Sequence, residues 1–131
     1  MVKQIAILGS TGSIGSSLLK IVSKDKTSFK IKLLTANKNY KKLLKQAKLF
    51  NVKNVILTDK KSYLLSKKYF KKNKISVFND YKNLNKILKS KIDYVMSSIV
   101  GLDGLDPTLK VIKFTKNIAI ANKESIICGW H

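Results

Sequence analysis

Residue types that usually carry chemistry are scarce in this chain. Its 131 residues include one cysteine, one histidine and seven acidic residues, of which one is a glutamate. Cys128 has no partner for an intrachain disulfide, and His131 stands too close to the end for a Ser–His or Cys–His couple. No group of carboxylates, cysteines and histidines has the spacing of metal ligands. We therefore expect no catalytic residue and no metal site within this chain.

Long apolar runs are also missing, although 44% of the residues are hydrophobic. No segment approaches the ~20 apolar residues that cross a bilayer. The sequence opens without the charged leader and apolar stretch of a secretory signal. Its length and apolar content are typical of one domain with a buried core. Together with the single cysteine, these features lead us to expect a cytoplasmic protein without a membrane partner.

Arginine is absent, despite a formal net charge of +20. All 27 basic residues are lysines, and they are spread along the chain rather than gathered in one element. Proteins that read bases and phosphates usually include arginine, whose planar fork matches guanine edges and phosphate oxygens. We expect no nucleic-acid partner, and a basic nucleic-acid-binding module stays as the alternative from another functional class.

What the sequence does contain is a glycine-rich segment with the spacing G-x-x-G-x-x-G. The apolar run Ile5–Leu8 precedes it, and the amphipathic stretch Ser16–Val22 follows it. This order predicts a strand, a tight turn and a helix whose N-terminus meets a pyrophosphate. In this interpretation Gly9 permits the turn, Gly12 leaves room for phosphate, and Gly15 lets the helix pack closely. A glycine turn without a ligand is the alternative.

Apolar runs and amphipathic stretches alternate along the whole chain. The predicted strands are Gln4–Leu8, Ile31–Thr35, Asn54–Leu57, Ile75–Phe78, Tyr94–Ser97 and Ile118–Ala121. Further helices are predicted at Tyr40–Phe50, Lys60–Lys72, Tyr81–Leu88 and Leu105–Phe114. The alternation predicts an α/β fold of the Rossmann-like, doubly wound type, which is a mainly parallel sheet with helices on both faces.

Helix starts and buried helix faces follow from the same pattern. Asp59 and Asp80 are predicted N-terminal caps, and Pro107 falls in the first turn of its helix. The third predicted helix places Tyr63, Leu64, Leu65 and Tyr69 inward, and the last one places Leu105, Leu109, Ile112 and Phe114 inward.

Ligands of such a sheet bind beyond the carboxyl ends of its strands, where a polar loop follows the second predicted strand. This loop contains Asn37, Lys38 and Asn39, and no acidic residue lies between Phe29 and Asn51. NAD-binding domains usually carry an acid near this point for the ribose 2′-hydroxyl. A cation and two amides instead favour the 2′-phosphate of NADP, and a merely solvated Lys38 is the alternative.

A second polar loop, after the last predicted strand, contains Asn122, Lys123 and Glu124. The only glutamate of the chain would face the presumed site, or serve as a carboxylate at a helix start, or do both. Lys123 could bond an anionic substrate. The apolar residues after this loop have no room to complete a helix, which predicts a domain boundary set by truncation.

Three segments resemble one family. Lys3–Gly15, with the sequence KQIAILGSTGSIG, is similar to the opening of 1-deoxy-D-xylulose 5-phosphate reductoisomerases. Ser98–Gly101, Gly104, Leu105 and Pro107–Leu109 resemble the region of the fifth strand in that family. Ala121–Ser125 resembles its A-N-K-E-S motif, and the resemblance runs in order along essentially all of the chain.

The resemblance implies a set of ligand-binding roles. Members of the family use NADPH and a divalent metal, Mg²⁺ or Mn²⁺, to convert 1-deoxy-D-xylulose 5-phosphate to 2-C-methyl-D-erythritol 4-phosphate in non-mevalonate isoprenoid biosynthesis. By resemblance, the pyrophosphate is held by Thr11, Gly12, Ser13 and Ile14, and the adenosine 2′-phosphate by Asn37, Lys38 and Asn39. Asn122 and Glu124 would lie near the nicotinamide, and Lys123 would reach the substrate. Some members have glycine where Asn37 stands.

The resemblance also implies which parts of the family are missing. Residues 1–131 would form the NADPH-binding Rossmann-like domain, and the catalytic and C-terminal domains, with the metal ligands, follow the A-N-K-E-S segment in the family. We expect this chain alone to be inactive, with the sugar phosphate as partner and a homodimer only at full length. The alternative enzyme is another NADP-dependent reductase, such as a semialdehyde dehydrogenase, which needs a catalytic cysteine that Cys128 is poorly placed to be.

Overall fold

A computed structural model of the chain describes residues 2–99 and 104–120. The strands are β1 (Lys3–Leu8), β2 (Phe29–Ala36), β3 (Asn54–Leu57), β4 (Ser76–Phe78), β5 (Ile92–Ser97) and β6 (Thr115–Ile120). The helices are α1 (Ser13–Ser23), α2 (Tyr40–Leu49), α3 (Lys60–Lys72), α4 (Leu84–Ile87) and α5 (Leu105–Val111), with 3₁₀ turns at Lys26–Ser28 and Ile112–Phe114.

The strands form one sheet in the order β4-β3-β2-β1-β5-β6, and every pairing is parallel. Strands β2, β3 and β4 therefore follow β1 towards one edge of the sheet, and β5 and β6 lie on the other side of β1, towards the opposite edge. The reversal lies between β1 and β5, which is where ligands bind in open α/β sheets. The predicted Rossmann-like, doubly wound fold is confirmed.

Helices cover both faces of the sheet, because alternate residues of each strand point to opposite sides. Ile5 and Ile7 pack in a cluster with α1, α2 and α3, whereas Ala6 and Leu8 pack in a second cluster with α4 and α5. The continuous apolar strands in the sequence are thus strands buried on both faces.

An extra residue in β2 determines the side of the sheet on which Thr35 lies. Ile5 of β1 pairs with Ile31, but the next residue, Ala6, pairs with Leu33, so β2 carries one extra residue. An extra residue reverses the alternation beyond it. Ile31 accordingly packs with the α1 side and Leu33 with the α4 side. Thr35, two residues further, thereby shares the side of the sheet on which Tyr81 lies.

The predicted helix Tyr81–Leu88 is wrong in its length and in its cap. The observed helix covers Leu84–Ile87 and has Asn83 at its N-cap position. Asp80 instead accepts a hydrogen bond from the N–H of Lys82, 3.0 Å away, and so closes a local turn before the helix. Asp59 does cap its helix as predicted, since its Oδ2 accepts from the N–H of Ser62 at 3.0 Å.

Of the four residues predicted on the inward face of α3, Tyr63 packs against the core, but the other three placements are wrong. Leu64, Leu65 and Tyr69 are 58%, 54% and 44% exposed, and the buried positions are Ser66 and Phe70. The apolar residues of this helix are spread around more than one face, so their spacing did not fix its rotation. The fully buried Phe70 ring provides the contact with the sheet.

In the last helix, the inward placement of Leu109 and Ile112 is wrong for a different reason. Both are about half exposed, at 49% and 47%, while Thr108 and Val111 are buried. The Thr108 hydroxyl lies 2.6 Å from the hydroxyl of Ser97, and this buried hydrogen bond turns a polar residue towards the sheet. Pro107 is in the first turn, as predicted.

Gly15 marks the closest approach in the fold. A Cβ built on it would lie 2.6 Å from Ser10 Cα and closer still to the Gly9 carbonyl oxygen. We expect Gly15→Ala to destabilise the chain by about 1–3 kcal/mol through overpacking, although alanine in an unobstructed helix gains about 1 kcal/mol over glycine. Urea unfolding followed by circular dichroism measures the change.

Gly12→Ala is the matched control, because a Cβ there has its nearest neighbour, the Gly9 carbonyl oxygen, at 3.6 Å. A Gly15→Ala variant as stable as the wild type, or more stable, would contradict the close approach.

Candidate functional site

The glycine turn joins β1 to α1 at the switch point of the sheet. Gly9 has φ = 77°, a conformation that side chains with a Cβ rarely adopt. Gly12 stands at the N-cap position of α1, and its N–H donates to the Gly9 carbonyl at 3.3 Å. No side chain caps α1, and its first turn contains no acidic residue. The free N–H groups and the positive end of the helix dipole are therefore available to an anion.

β2 holds the start of the turn through Thr35. The Gly9 N–H donates to the Thr35 hydroxyl oxygen at 3.0 Å, and the Ser10 N–H donates to the Thr35 carbonyl at 2.9 Å. The buried phenol of Tyr81 donates to the same hydroxyl oxygen at 2.9 Å. Burial raises the pKa of the Tyr81 phenol, so it stays a neutral donor. Thr35 of β2 thus joins the glycine turn to the segment that contains Tyr81.

α2 holds the outer side of the turn with two side chains one helical turn apart. Gln46 accepts from the Ser10 hydroxyl at 2.8 Å and donates its amide to the Ser10 carbonyl at 3.0 Å. Lys42 donates its ammonium to the Thr11 carbonyl at 2.9 Å. These contacts engage the carbonyls of Ser10 and Thr11.

The end of β5 closes the other side. The Ser98 hydroxyl donates to the Leu8 carbonyl at 2.7 Å and to the Gly9 carbonyl at 3.2 Å. The Ser98 N–H continues the strand ladder to the Leu8 carbonyl at 2.9 Å. β1 therefore ends between two strands that each contribute a hydroxyl to the turn.

The loop after β2 lies beside the turn and is exposed. Asn39 caps α2, because its side-chain oxygen accepts a hydrogen bond from the Lys42 N–H at 3.2 Å. The Asn37 carbonyl accepts from the Asp59 N–H at 3.0 Å, which ties the loop to the end of β3. The side chains of Asn37 and Lys38, and the amide nitrogen of Asn39, are the groups left to meet a ligand.

An acid does lie near this loop, although none is close to it in sequence. Hydrogen bonds from the hydroxyl and N–H of Ser62 lower the pKa of Asp59, with smaller Coulombic contributions from Lys38 and Lys61. Asp59 stands at the start of α3, and both of its contacts to Ser62 use Oδ2. Oδ2 of Asp59 is thus used in capping α3, and the Asn37–Asn39 loop itself contains no acid for a ribose 2′-hydroxyl.

A cleft of about 280 Å³ opens between these parts. Its lining consists of Gly9, Thr11, Gly12, Thr35, Ala36, Asn37, Thr58, Tyr81, Ser98, Ile99 and Pro107. The structure thus brings together Thr11, Gly12 and Asn37 from the predicted site. Ser13 and Ile14 form the first turn of α1 and are exposed. Asn122, Lys123 and Glu124 lie outside the described residues.

A second, larger groove of about 470 Å³ lies elsewhere and has a different character. It is lined mostly by apolar side chains of β1, β5 and α1, such as Ile5, Ile21 and Met96. It contains no residue of the glycine turn and no exposed helix N-terminus, so it does not suit a phosphate.

Within residues 2–99 and 104–120, no group of three or more His, Cys, Asp or Glu side chains comes together to bind a metal ion. A divalent metal therefore does not fit the residues described. None of the helices described there has the length and hydropathy to cross a membrane.

Several residues of the site were not found from the sequence. Thr35, Lys42, Gln46, Tyr81 and Ser98 act through contacts between residues far apart in the chain. The one available signal was the spacing of Lys42 and Gln46, two polar residues four apart beside the buried Leu43 and Ala47. Many other lysines have similar spacing, so this signal did not stand out.

Comparisons with known proteins agree with the geometry of the turn. The family model for 1-deoxy-D-xylulose 5-phosphate reductoisomerase matches residues 5–129. The reductoisomerase of Pelagibacter ubique is 66% identical over 131 residues, which cover 98% of this chain and 34% of that protein. The reductoisomerase of Clostridium tetani is 39% identical over 128 residues, which cover 95% of this chain and 33% of that protein.

Solved structures give the same result. The reductoisomerase of Zymomonas mobilis in complex with NADPH superposes with a TM-score of 0.86 and 31% identity, covering 97% of this chain and 34% of that one. The chain thus spans about a third of the length of the relatives that it matches. The match along most of its residues favours this family over the semialdehyde dehydrogenase alternative. The chain belongs to the 1-deoxy-D-xylulose 5-phosphate reductoisomerase family.

Proposed function

We propose that this chain binds NADPH as the cofactor domain of a reductoisomerase, with the pyrophosphate on the glycine turn and the N-terminus of α1. The observation that carries the proposal is the uncapped start of α1 beside the open space at Gly12. Backbone N–H groups at a helix start hold phosphate oxygens, and a glycine there lets the ligand come close. Thr11, Gly12, Ser13 and Ile14 supply this contact.

The adenosine end fits the loop after β2. Asn37, Lys38 and Asn39 present amides and a cation, and their neighbour Asp59 is engaged in capping α3. A 2′-phosphate gains charge-assisted hydrogen bonds from such groups, whereas a bare hydroxyl lacks the usual carboxylate acceptor. The solved relative from Zymomonas mobilis, with 31% identity, was determined with NADPH bound, which supports the same assignment.

At full length, the protein would convert 1-deoxy-D-xylulose 5-phosphate to 2-C-methyl-D-erythritol 4-phosphate with a divalent metal. Bound NADPH supplies the hydride in such chemistry. The described residues hold and orient the cofactor. In this proposal Asn122 and Glu124 lie near the nicotinamide, and Lys123 contacts the substrate. A cytoplasmic location, the absence of a nucleic-acid partner and a homodimer at full length stay predictions.

The first test is the choice between the two nicotinamide cofactors. We expect NADPH to bind more tightly than NADH, because only NADPH carries the phosphate that Asn37, Lys38 and Asn39 can bond. Isothermal titration calorimetry on the 131-residue chain measures both affinities. Lys38→Met should weaken NADPH roughly threefold to tenfold, as expected for an exposed charged contact. Equal affinity for the two cofactors would contradict the assignment.

The second test places a side chain where the pyrophosphate should lie. Gly12→Val should abolish NADPH binding with little loss of stability, since Gly12 has φ = −76° and open space around its missing Cβ. Valine is a poorer N-cap residue than glycine, so a loss of up to roughly 1 kcal/mol in unfolding free energy is allowed for. A folded Gly12→Val variant that binds NADPH normally would show that the site lies elsewhere.

The third test concerns turnover. We expect no reductoisomerase activity from the 131-residue chain, because the described residues include no set of metal ligands and the only proposed substrate contact is Lys123. NADPH oxidation is followed spectroscopically with the sugar phosphate and Mg²⁺ or Mn²⁺ present. The full-length reductoisomerase of Pelagibacter ubique is the positive control. Metal-dependent turnover by the pure chain would contradict the proposal that it supplies only the cofactor domain.

A further inference from the structure

Lys42 touches both of the loops that border the proposed adenosine site. It is half-buried in the first turn of α2, directly after the loop Asn37–Asn39. Its N–H donates to the side-chain oxygen of Asn39 at 3.2 Å, and its ammonium donates to the carbonyl of Thr11 at 2.9 Å. The side chain therefore spans the gap between the β2–α2 loop and the glycine turn.

The ammonium of Lys42 has hydrogen-bond donors that are not used within the described residues. An ammonium carries three N–H donors, and the carbonyl of Thr11 takes one of them. The ion pairs found among residues 2–99 and 104–120 join Lys110 to Asp106 and Lys116 to Asp93, and neither involves Lys42. Two donors and a full charge thus remain for an anion in the gap.

Lys38 is differently placed, although the sequence singled it out. Its side chain is exposed, and its charge acts on Asp59, whose pKa it helps to lower after the larger effect of the Ser62 hydrogen bonds. An exposed lysine without a hydrogen bond that orients it is less well placed for a phosphate than one held in position. Ordering a free side chain on binding also costs conformational entropy, and the bond to Thr11 reduces that cost for Lys42.

We propose that Lys42 is the main cationic contact for the 2′-phosphate of NADPH, ahead of Lys38. This inference rests on the proposed function and adds to it the residue that sets cofactor preference. The pyrophosphate is expected on the N-terminus of α1, whereas the 2′-phosphate is expected between the loop after β2 and Thr11, the two places that Lys42 bonds from the first turn of α2. On this placement Lys42 contacts the 2′-phosphate rather than the pyrophosphate.

The test compares four variants by titration calorimetry with NADPH and NADH, and with 2′,5′-ADP (adenosine 2′,5′-bisphosphate) and 5′-AMP as fragments that differ only in the 2′-phosphate. Lys42→Met keeps much of the alkyl stem and removes the charge. It should weaken NADPH and 2′,5′-ADP roughly tenfold or more, which corresponds to about 1.4 kcal/mol per tenfold. Affinity for NADH and 5′-AMP should stay within about twofold.

Three further variants serve as comparisons. Lys42→Arg should retain most of the NADPH affinity, because it restores a cation with several donors. Lys38→Met should weaken NADPH less than Lys42→Met does. Lys48→Met removes the same charge from the last turn of the same helix and should leave all four affinities unchanged. Circular dichroism and thermal unfolding check that each variant is folded.

Each contrary outcome has a distinct meaning. If Lys42→Met weakens NADPH and NADH equally, the lysine supports the turn as a whole and the 2′-phosphate assignment is overturned. If it changes neither, or less than Lys38→Met, the inference is also overturned while the proposed function stands. A wild-type chain that shows no preference for NADPH would overturn the proposed function, and this inference with it.

Discussion

The approach of α1 to the glycine turn is the constraint on which the site depends. Gly15, within the first turn of the helix, lies so close to Gly9 and Ser10 that a Cβ would meet the backbone. This contact fixes where α1 begins and therefore where its free N–H groups point. A helix that started one turn later, as the amphipathic pattern Ser16–Val22 would allow, would place its positive end away from the cleft.

Besides the hydrogen bond from Gly12 to Gly9, the turn is held by residues from neighbouring elements. Thr35 on β2, Gln46 on α2 and Ser98 after β5 engage its backbone from three directions. Several of these bonds go to carbonyl groups, which would repel an anion if they faced the cleft. Engaging carbonyls on the outside while leaving N–H groups free is what makes a backbone turn selective for phosphate.

The sequence predicted the order of elements and the position of the glycine turn because both depend on local patterns. Strands buried on both faces give continuous apolar runs, and Gly9 and Gly15 mark backbone positions where a Cβ would be strained or would meet the backbone. It did not predict the rotation of α3, the shortened helix after Asp80, or the roles of Thr35, Lys42 and Tyr81. Those depend on contacts between distant segments. Because lysines are spread along the whole chain, the sequence does not distinguish Lys42, whose ammonium bonds the turn.

The most direct measurement is the response of backbone amides to NADPH, recorded as ¹⁵N–¹H correlation spectra during a titration of the labelled chain. The central claim is that the cofactor lies on the glycine turn and along the loop after β2. It predicts the largest shifts at Thr11–Gly15 and Asn37–Asn39, with small shifts at Phe29 and Tyr94 in the apolar groove. Shifts centred on that groove, or a spectrum that does not change with NADPH, would contradict the account.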